Sequence, residues 1–303
     1  MFNTDARVQL AQFADLFDAV VRDASFFTTG KIPTRAGAKL VPVGAEKHLP
    51  ELMRSLDGVA AVICPAELVD QIPEHLGVAV SSSPLAAQYR VHVRLCDRAD
   101  YFWTGFESRI DPSARIHPAA YVADRDVVIG PDTVVDAHAV IMPRTVIGAE
   151  CFIGANSTLG SEAFETTRVD GRDRLQRQAG GVRLGDGVIV LSNCGVARSV
   201  FPLFTELGDG VGLDNLVHVA HDCVLERGVK LTACTMLAGR VEMGEGAYTG
   251  PNASISNGVK VAAKGYVTIG STVVRDVAEG AKVTGNFAID HSRFIRNLKD
   301  SVR

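Results

Sequence analysis

The chain has 303 residues, of which 47% are hydrophobic and 22% charged, with a formal net charge of -4. This composition is typical of a globular protein, and the length allows two domains or one domain plus a repeat array. The negative charge, without a clustered Lys/Arg stripe, argues against nucleic acid as a partner. No apolar run reaches the roughly 18 residues of a membrane span, and the first residues lack a secretory signal, so we expect a cytoplasmic protein.

The first 105 residues alternate between helical and strand patterns. Apolar residues recur at helical spacing over residues 8–21, and residues 49–56, 66–74 and 84–96 are further helical candidates. The apolar runs at residues 59–64 and 78–80 are typical of short buried strands. This alternation predicts a small α/β domain over residues 1–105, which we interpret as the substrate (nucleotide-sugar) domain.

A six-residue period dominates the second part of the chain. From Leu207 to Val267 it recurs eleven times, with a large apolar residue at the first position of ten hexads and a small or β-branched residue at the fifth. Such a period fits neither a helix nor a simple strand. It predicts a solenoid of stacked coils with one large and one small side chain inward per hexad. A weaker array starts at Ile110, so the solenoid domain is predicted to span residues 106–285.

The hexads are interrupted once at length. Residues 161–181 are polar and rich in charge, and a loop that leaves a rigid scaffold is often functional. Glycine stands at the second position of several hexads, at Gly130, Gly148, Gly154 and Gly160, where we expect a permissive backbone to help the coil turn a corner. After the last hexad, residues 286–303 are predicted to form a C-terminal helix.

Two histidines lie close together in the most regular hexads. His218 and His221 belong to the segment DNLVHVAHD, which begins at Asp214. His221 takes the third position of its hexad, which we expect to face outward and to be open to a ligand. A neutral imidazole near pH 7 is a natural general base.

The motifs around these histidines resemble a known family. The hexad array is similar to that of the left-handed parallel β-helix acyltransferases. The stretch GVGLDNLVHVAHDCVL, followed by LTACTMLAGRV, resembles the acyltransferases of lipid A and lipopolysaccharide biosynthesis. The order of the parts, with an α/β segment first and a loop opening GSEAF within the array, fits the UDP-3-O-acylglucosamine N-acyltransferase family best.

This resemblance implies a mainly β fold, a left-handed parallel β-helix of hexapeptide repeats preceded by a small α/β domain and followed by a short C-terminal helix. It implies an N-acyltransferase that moves an acyl group from a thioester to the amine of a (UDP-)amino sugar. His221 would be the general base, and the backbone N–H of Gly239 would face the developing oxyanion. The residues implied in substrate binding are Asp214, Asn215, His218, Asp222, Arg240, Phe164, Asn257 and Lys47.

The same resemblance implies partners and donors. The donor would be the phosphopantetheine of acyl carrier protein or CoA, with no tightly bound cofactor and no metal. The family is trimeric, with sites in clefts between solenoids, so we expect a homotrimer with Asn215, His218 and Arg240 lining a cleft. Asp214 and Asp222 are both candidates to orient His221.

Three other functions stay open at this stage. Residues 273–288 resemble the end of CoA-dependent sugar acetyltransferases, and the segment around Lys47 lacks the aromatic pair that holds uracil in the lipid A enzymes. A CoA-dependent sugar N- or O-acetyltransferase of surface glycans is therefore the main alternative. A metal hydratase of the γ-carbonic anhydrase type would need three clustered histidines, and a catalytically silent binding scaffold is the last alternative.

Overall fold

The computed structural model describes residues 1–32, 35–285 and 288–301. Its N-terminal part consists of short strands and helices around one five-stranded sheet. The strands are β1 (Val8–Gln9), β2 (Ala19–Arg22), β3 (Ser25–Phe26), β4 (Thr28–Thr29), β5 (Lys39–Pro42), β6 (Val59–Cys64) and β7 (Gly77–Val80). The helices are α1 (Leu49–Arg54) and α2 (Pro84–Cys96), with 3₁₀ helices at Leu10–Leu16, Glu46–His48 and Ala66–Gln71.

The sheet has the strand order β2-β7-β6-β5-β4, and only the β2–β7 pair is antiparallel. Its central strand β6 is apolar almost throughout because both of its faces are covered. Ala61 and Ile63 pack in one cluster with α2, whereas Val62 and Cys64 pack in another with α1 and the 3₁₀ helix Ala66–Gln71. Helices on both faces give this part its α/β character.

Most of the predicted N-terminal elements are confirmed, but the first helix is wrong. Strands at residues 59–64 and 78–80 and helices at 49–56 and 84–96 are present within a few residues of their predicted bounds. Residues 8–21 form β1, a 3₁₀ helix and the start of β2 instead, because Val8 pairs with Phe26 and Ala19 with Val80. Strand pairing overrides the local helical pattern there, and residues 66–74 likewise form a 3₁₀ helix that ends at Gln71.

The second part is a three-sided solenoid of short parallel strands. They are β8 (Arg109–Ile110), β9 (Arg115–Ile116), β10 (Tyr121–Val122), β11 (Val127–Ile129), β12 (Val134–Val135), β13 (Val140–Ile141), β14 (Thr145–Ile147), β15 (Phe152–Ile153), β16 (Thr158–Ser161), β17 (Thr166–Val169), β18 (Arg172–Leu175), β19 (Gly181–Leu184), β20 (Ile189–Val190), β21 (Gly195–Ala197), β22 (Phe204–Leu207), β23 (Gly212–Leu213), β24 (His218–Val219), β25 (Val224–Leu225), β26 (Lys230–Leu231), β27 (Met236–Leu237), β28 (Glu242–Met243), β29 (Tyr248–Thr249), β30 (Ser254–Ile255), β31 (Lys260–Val261), β32 (Tyr266–Val267), β33 (Thr272–Val273) and β34 (Lys282–Val283). All of them except the hairpin β17–β18 belong to three parallel sheets of eight, eight and nine strands.

Three hexads make one coil of this solenoid. Leu213 pairs with Leu231, and Leu231 pairs in turn with Thr249, so each first-position residue stacks on the one from the coil before. The first- and fifth-position side chains together form one long buried core. The predicted fold class, mainly β with a left-handed parallel β-helix of hexapeptide repeats, is confirmed.

The corners of the coils arise differently from our expectation. The left-handed backbone falls mainly at the fourth hexad position, for example at Leu216 (φ 63°) and Asp222 (φ 60°). Of the second-position glycines, Gly160 has it (φ 87°), whereas Gly130, Gly148 and Gly154 do not. Those glycines are required by close approach instead. A Cβ on Gly148 would lie 2.5 Å from the carbonyl oxygen of Gly185 in the next coil.

The long interruption is a hairpin at the side of the solenoid. Strands β17 and β18 pair antiparallel within residues 161–181, and Gln176 and Ala179 at its return are buried. At the other end of the chain, α3 (His291–Ser301) lies within the predicted C-terminal helix, while residues 286–287 and 302–303 of that prediction are outside the described residues. In the described part of the chain, no helix is long and apolar enough to cross a membrane.

A buried histidine holds the hairpin against the N-terminal part. Nε2 of His92 in α2 lies 2.8 Å from the carbonyl oxygen of Arg177, and Nδ1 lies 2.7 Å from Oγ1 of Thr29. The ring therefore donates through Nε2 and accepts at Nδ1, which is the neutral form. Burial is the main cause that lowers the pKa of His92 to about 4.

This pKa predicts a loss of stability in mild acid. The unfolded chain takes up a proton near pH 6.5 whereas folded His92 does so only near pH 4, so the free energy of unfolding falls by up to about 3 kcal/mol as the pH drops through this window. Urea unfolding at pH 7 and pH 4.5, followed by the fluorescence of Trp103, checks it, because this buried residue is the one tryptophan in the sequence. A His92→Gln variant should lose this part of the pH dependence, and an unchanged dependence would contradict the assignment.

Candidate functional site

The candidate site is centred on His221, just before β25. The flanking residues Val219 and Cys223 point into the solenoid core and are fully buried. The imidazole of His221 leaves the core, as its hexad position predicts, but the prediction that it lies open is wrong, since the residue is only 5% exposed. It is covered because the hairpin segment 161–181 brings Glu165 against it.

One side of the imidazole is fixed by a carboxylate. Nδ1 of His221 lies 2.7 Å from Oδ2 of Asp222, and the buried Ser199 hydroxyl donates to the other oxygen of that carboxylate. The backbone N–H of Asp222 donates to Oγ1 of Thr205 at 3.0 Å. An ionised carboxylate only accepts, so Nδ1 carries the hydrogen and Nε2 keeps the lone pair of the neutral ring. This arrangement orients Nε2 as a proton acceptor.

The other side of the imidazole faces a second carboxylate. Nε2 lies 3.4 Å from Oε2 of Glu165, and the ammonium of Lys31 donates to Oε1 of the same residue. Burial raises the pKa of Glu165, but hydrogen bonds from His221 and Lys31 outweigh it and hold that pKa at about 2. Desolvation lowers the pKa of His221, yet the hydrogen bonds to Asp222 and Glu165 raise it above its ordinary value. Glu165 and Asp222 thus make this imidazole a stronger base than an isolated one.

Gly239 touches the same imidazole from the next coil. A Cβ built on Gly239 would lie 2.5 Å from Nε2 of His221 and 3.1 Å from Nδ2 of Asn257, so only glycine leaves room for the ring. Within the described ranges, the backbone N–H of Gly239 has no hydrogen-bond acceptor. A backbone donor beside an oriented imidazole is the arrangement that stabilises an oxyanion.

Arg240 and Asn257 lie next to Gly239. One guanidinium nitrogen of Arg240 donates to Oδ1 of Asn257 at 2.8 Å. Its other terminal nitrogen is buried and has no partner among the residues that the structure describes. Arg240 therefore keeps one donor for an oxygen of a ligand.

Three of the predicted residues lie just before His221 on the same coil, on β24 or at the corner that precedes it. His218 is exposed in β24, and desolvation and the charge of His221 lower its pKa. The Asp214 carboxylate accepts from Asn215 and from the backbone N–H of Ala233, and in the described part of the chain no hydrogen bond or ion pair links it to His221. Asn215 accepts from the backbone of Ser192. Of the two candidates to orient His221, Asp222 does so and Asp214 does not.

The structure does not bring the other two predicted residues into contact with His221. Phe164 is 90% exposed, although it adjoins Glu165. Lys47 is exposed on the 3₁₀ helix Glu46–His48, and no hydrogen bond or ion pair links it to the residues around His221 within residues 1–32, 35–285 and 288–301. Nor does this part of the chain hold a group of three or more His, Cys, Asp or Glu side chains placed to bind a metal.

Sequence reasoning missed Glu165, Lys31 and Ser199. The polar interruption at residues 161–181 signals that something lies over the solenoid, but not which side chain reaches the histidine. Ser199 lies in the short break between β21 and β22, which carries no motif of its own. Lys31 comes from the N-terminal part, 190 positions before His221 in the sequence.

Comparison with known proteins identifies the repeat. Residues 126–161 match the family model for the bacterial transferase hexapeptide (six repeats). These residues are similar to the hexapeptide repeats of bacterial transferases. The resemblance seen in the sequence is thereby confirmed.

Two curated proteins that are similar to the chain have the same name. The chain is 31% identical over 121 residues to the UDP-3-O-acylglucosamine N-acyltransferase of Bordetella parapertussis, which is 40% of this chain and 33% of that protein. It is 33% identical over 119 residues to the protein of the same name from a Caulobacter species, 39% of this chain and 35% of that protein. The match thus spans about a third of the length of these relatives.

Among solved structures, the UDP-N-acetylglucosamine O-acyltransferase of Moraxella catarrhalis is similar, with a TM-score of 0.48 and 22% identity. The similarity covers 63% of this chain and 76% of that one.

Proposed function

We propose that the chain transfers an acyl group from a thioester to the amine of a nucleotide-linked amino sugar, with His221 as general base. The observation that carries this proposal is an imidazole fixed by Asp222 at Nδ1 and placed beside Gly239 at Nε2. The similarity to UDP-3-O-acylglucosamine N-acyltransferases over 40% of the chain supports this reaction and this class of acceptor.

The chemistry follows from these three residues. The amine nitrogen attacks the thioester carbonyl carbon, and a C–N bond forms as the C–S bond breaks. Nε2 of His221 takes the proton of the attacking nitrogen and returns it to the departing thiolate, so the products are an amide and a thiol. The Gly239 N–H donates to the carbonyl oxygen as it gains negative charge. Asp222 keeps the ring oriented and stabilises the imidazolium.

The predicted binding residues have separate roles in this proposal. Arg240, through its buried unpaired nitrogen, and Asn257 bind polar groups beside Gly239. His218, Asn215 and Asp214 lie just before His221 on the same coil. Phe164 and Lys47 meet substrate only if the nucleotide extends towards the hairpin and the N-terminal sheet.

We also propose that the working form is a homotrimer in the cytoplasm, where acyl thioesters of carrier protein and CoA are available. His218 pairs with Met236 across β24 and β27, and Met236 and Leu216 are exposed apolar side chains beside it. A neighbouring copy would cover this apolar rim and complete a cleft around the site.

A CoA-dependent sugar acetyltransferase is the second candidate, and an observation near the C-terminal end favours it. The rings of Tyr248 and Tyr266 stack 4.7 Å apart, and the ammonium of Lys282 lies 4.9 Å from the Tyr266 ring. A partly exposed pair of aromatic side chains beside a cation suits the adenine and phosphates of CoA.

A transfer assay tests both candidates. The protein is incubated with UDP-glucosamine and either acetyl-CoA or a hydroxyacyl thioester of acyl carrier protein, and the released thiol and acylated sugar are measured. Transfer from the carrier-protein thioester supports a lipid A type of enzyme, and transfer from acetyl-CoA alone supports the second candidate. Absence of product with both donors would contradict the proposed function.

A further inference from the structure

Glu165 is a carboxylate that the proposed reaction does not use. It lies at the base of the β17–β18 hairpin, where its backbone carbonyl accepts from the N–H of Gln176 at 2.7 Å. Its side chain is 18% exposed, with one oxygen towards His221 and the other towards Lys31. Glu165 is thus a second carboxylate beside Nε2 of His221, placed where the acceptor must bind for the proposed reaction.

We propose that Glu165 binds the amine of the acceptor and makes the site select an amine over a hydroxyl. This inference rests on the proposed function and names the acceptor group of that same site. Glu165 would touch the substrate itself, on the opposite side of the reacting nitrogen from the thioester carbonyl.

Two hydrogen-bond acceptors face each other at the site, one on His221 and one on Glu165. In the neutral ring that acts as a base, Nε2 presents a lone pair, and Oε2 of Glu165 also only accepts, yet the two atoms are 3.4 Å apart. A single nitrogen about 2.9 Å from each atom lies within hydrogen-bonding reach of both. Such a nitrogen needs two hydrogens, one for each acceptor.

An amine has these two hydrogens, whereas a hydroxyl has one. The amine gives one N–H to His221, which is the proton removed on attack, and the other to Glu165, which fixes the direction of the lone pair. An alcohol must leave either Nε2 or Glu165 without a donor, and a site built around two hydrogen bonds discriminates against a ligand that makes only one.

The contact with Lys31 shows that Glu165 accepts this kind of group. Lys31 supplies a primary ammonium to Oε1 of Glu165, and an amino sugar carries the same functional group in its protonated form. The low pKa of Glu165 keeps the carboxylate ionised throughout the working pH range. Lys31 thus acts as a competitor of the acceptor at this carboxylate, and removing it should strengthen the binding of the amine.

The test compares two nucleotides that differ in one group. UDP-glucosamine carries an amine where UDP-glucose carries a hydroxyl, and their affinities are measured by titration calorimetry for the full chain and for two variants. The natural protein should prefer the amine by about 10–100-fold, the range expected for a hydrogen bond to a charged group. Glu165→Gln should abolish the preference, whereas Lys31→Met should increase it.

The two variants are expected to change the preference for the amine in opposite directions. This difference distinguishes a role of Glu165 in substrate recognition from a purely structural role. If Glu165 only anchors the hairpin through Lys31, the two variants weaken binding alike, and this result overturns the proposal. Glu165→Gln should also raise KM for UDP-glucosamine more than it lowers kcat. It should move the acidic limb of kcat/KM to lower pH, because one of the two carboxylates that raise the pKa of His221 is gone.

Failure of this inference is distinct from failure of the proposed function. Equal binding of the two nucleotides, or binding of neither, contradicts the role of Glu165 whether or not transfer occurs. A clear amine preference that depends on Glu165, together with no transfer from any thioester, would keep the binding role and contradict acyl transfer.

Discussion

Replacing His221 with alanine is expected to lower kcat for acyl transfer by about 10²–10⁴-fold, the usual contribution of a positioned general base. The side chain makes no core contact, because the first- and fifth-position residues of its hexad, Val219 and Cys223, fill the interior. The loss should therefore lie in the chemical step, with the thioester still bound. The ratio of the two kcat values is obtained from the steady-state release of thiol from the donor by each protein, measured with and without UDP-glucosamine.

The control for this variant is His75→Ala. His75 is exposed in the N-terminal part, and in the described part of the chain no hydrogen bond or ion pair links it to His221 or Asp222, so its replacement should leave kcat unchanged. The fluorescence of the buried Trp103 and the size of the assembly should be the same for both variants. A His221→Ala protein that keeps most of its kcat would contradict the role of this residue as the base.

The hexad period explains why so much of the fold follows from the sequence. It places Leu213, Leu231 and Thr249 above one another at one position of successive coils, and the structure pairs them. The same counting puts His221 outside the core and Gly239 in the next coil, where it touches the imidazole. A repeat fixes positions three hexads apart because each coil contacts only its neighbours.

Contacts between segments that are distant in the sequence cannot be predicted from the hexad period. Strands form at both ends of residues 8–21 because Val8 pairs with Phe26 and Ala19 with Val80, and no local sequence pattern predicts those partners. Glu165 reaches His221 because contacts such as that of His92 with Arg177 hold the hairpin against the N-terminal part. The interruption of the repeat predicts the place of this contact but not the residue that makes it. The burial of His221 therefore could not be predicted from its hexad position.

The second large effect is expected at Gly239, where alanine should lower kcat by about 10²-fold. The added Cβ would lie 2.5 Å from Nε2 and 2.6 Å from Cε1 of His221, so the imidazole has to move. A displacement of about 1 Å at a reacting group costs roughly this factor, even when every catalytic side chain is present. The fall should appear in kcat more than in KM, because the displaced imidazole is the group that takes the proton in the chemical step.

A matched glycine separates this steric effect from the general cost of adding a methyl group. Gly44 has no atom within 4 Å of its built Cβ, so Gly44→Ala should leave kcat unchanged. The pH dependence of kcat/KM provides a second test of the Gly239→Ala variant. A ring pushed away from Glu165 loses one of the hydrogen bonds that raise the pKa of His221, and the acidic limb of kcat/KM should move to lower pH. An alanine variant with natural kcat and an unshifted limb would mean that His221 works in another position, and the oxyanion role of the Gly239 N–H would fall with it.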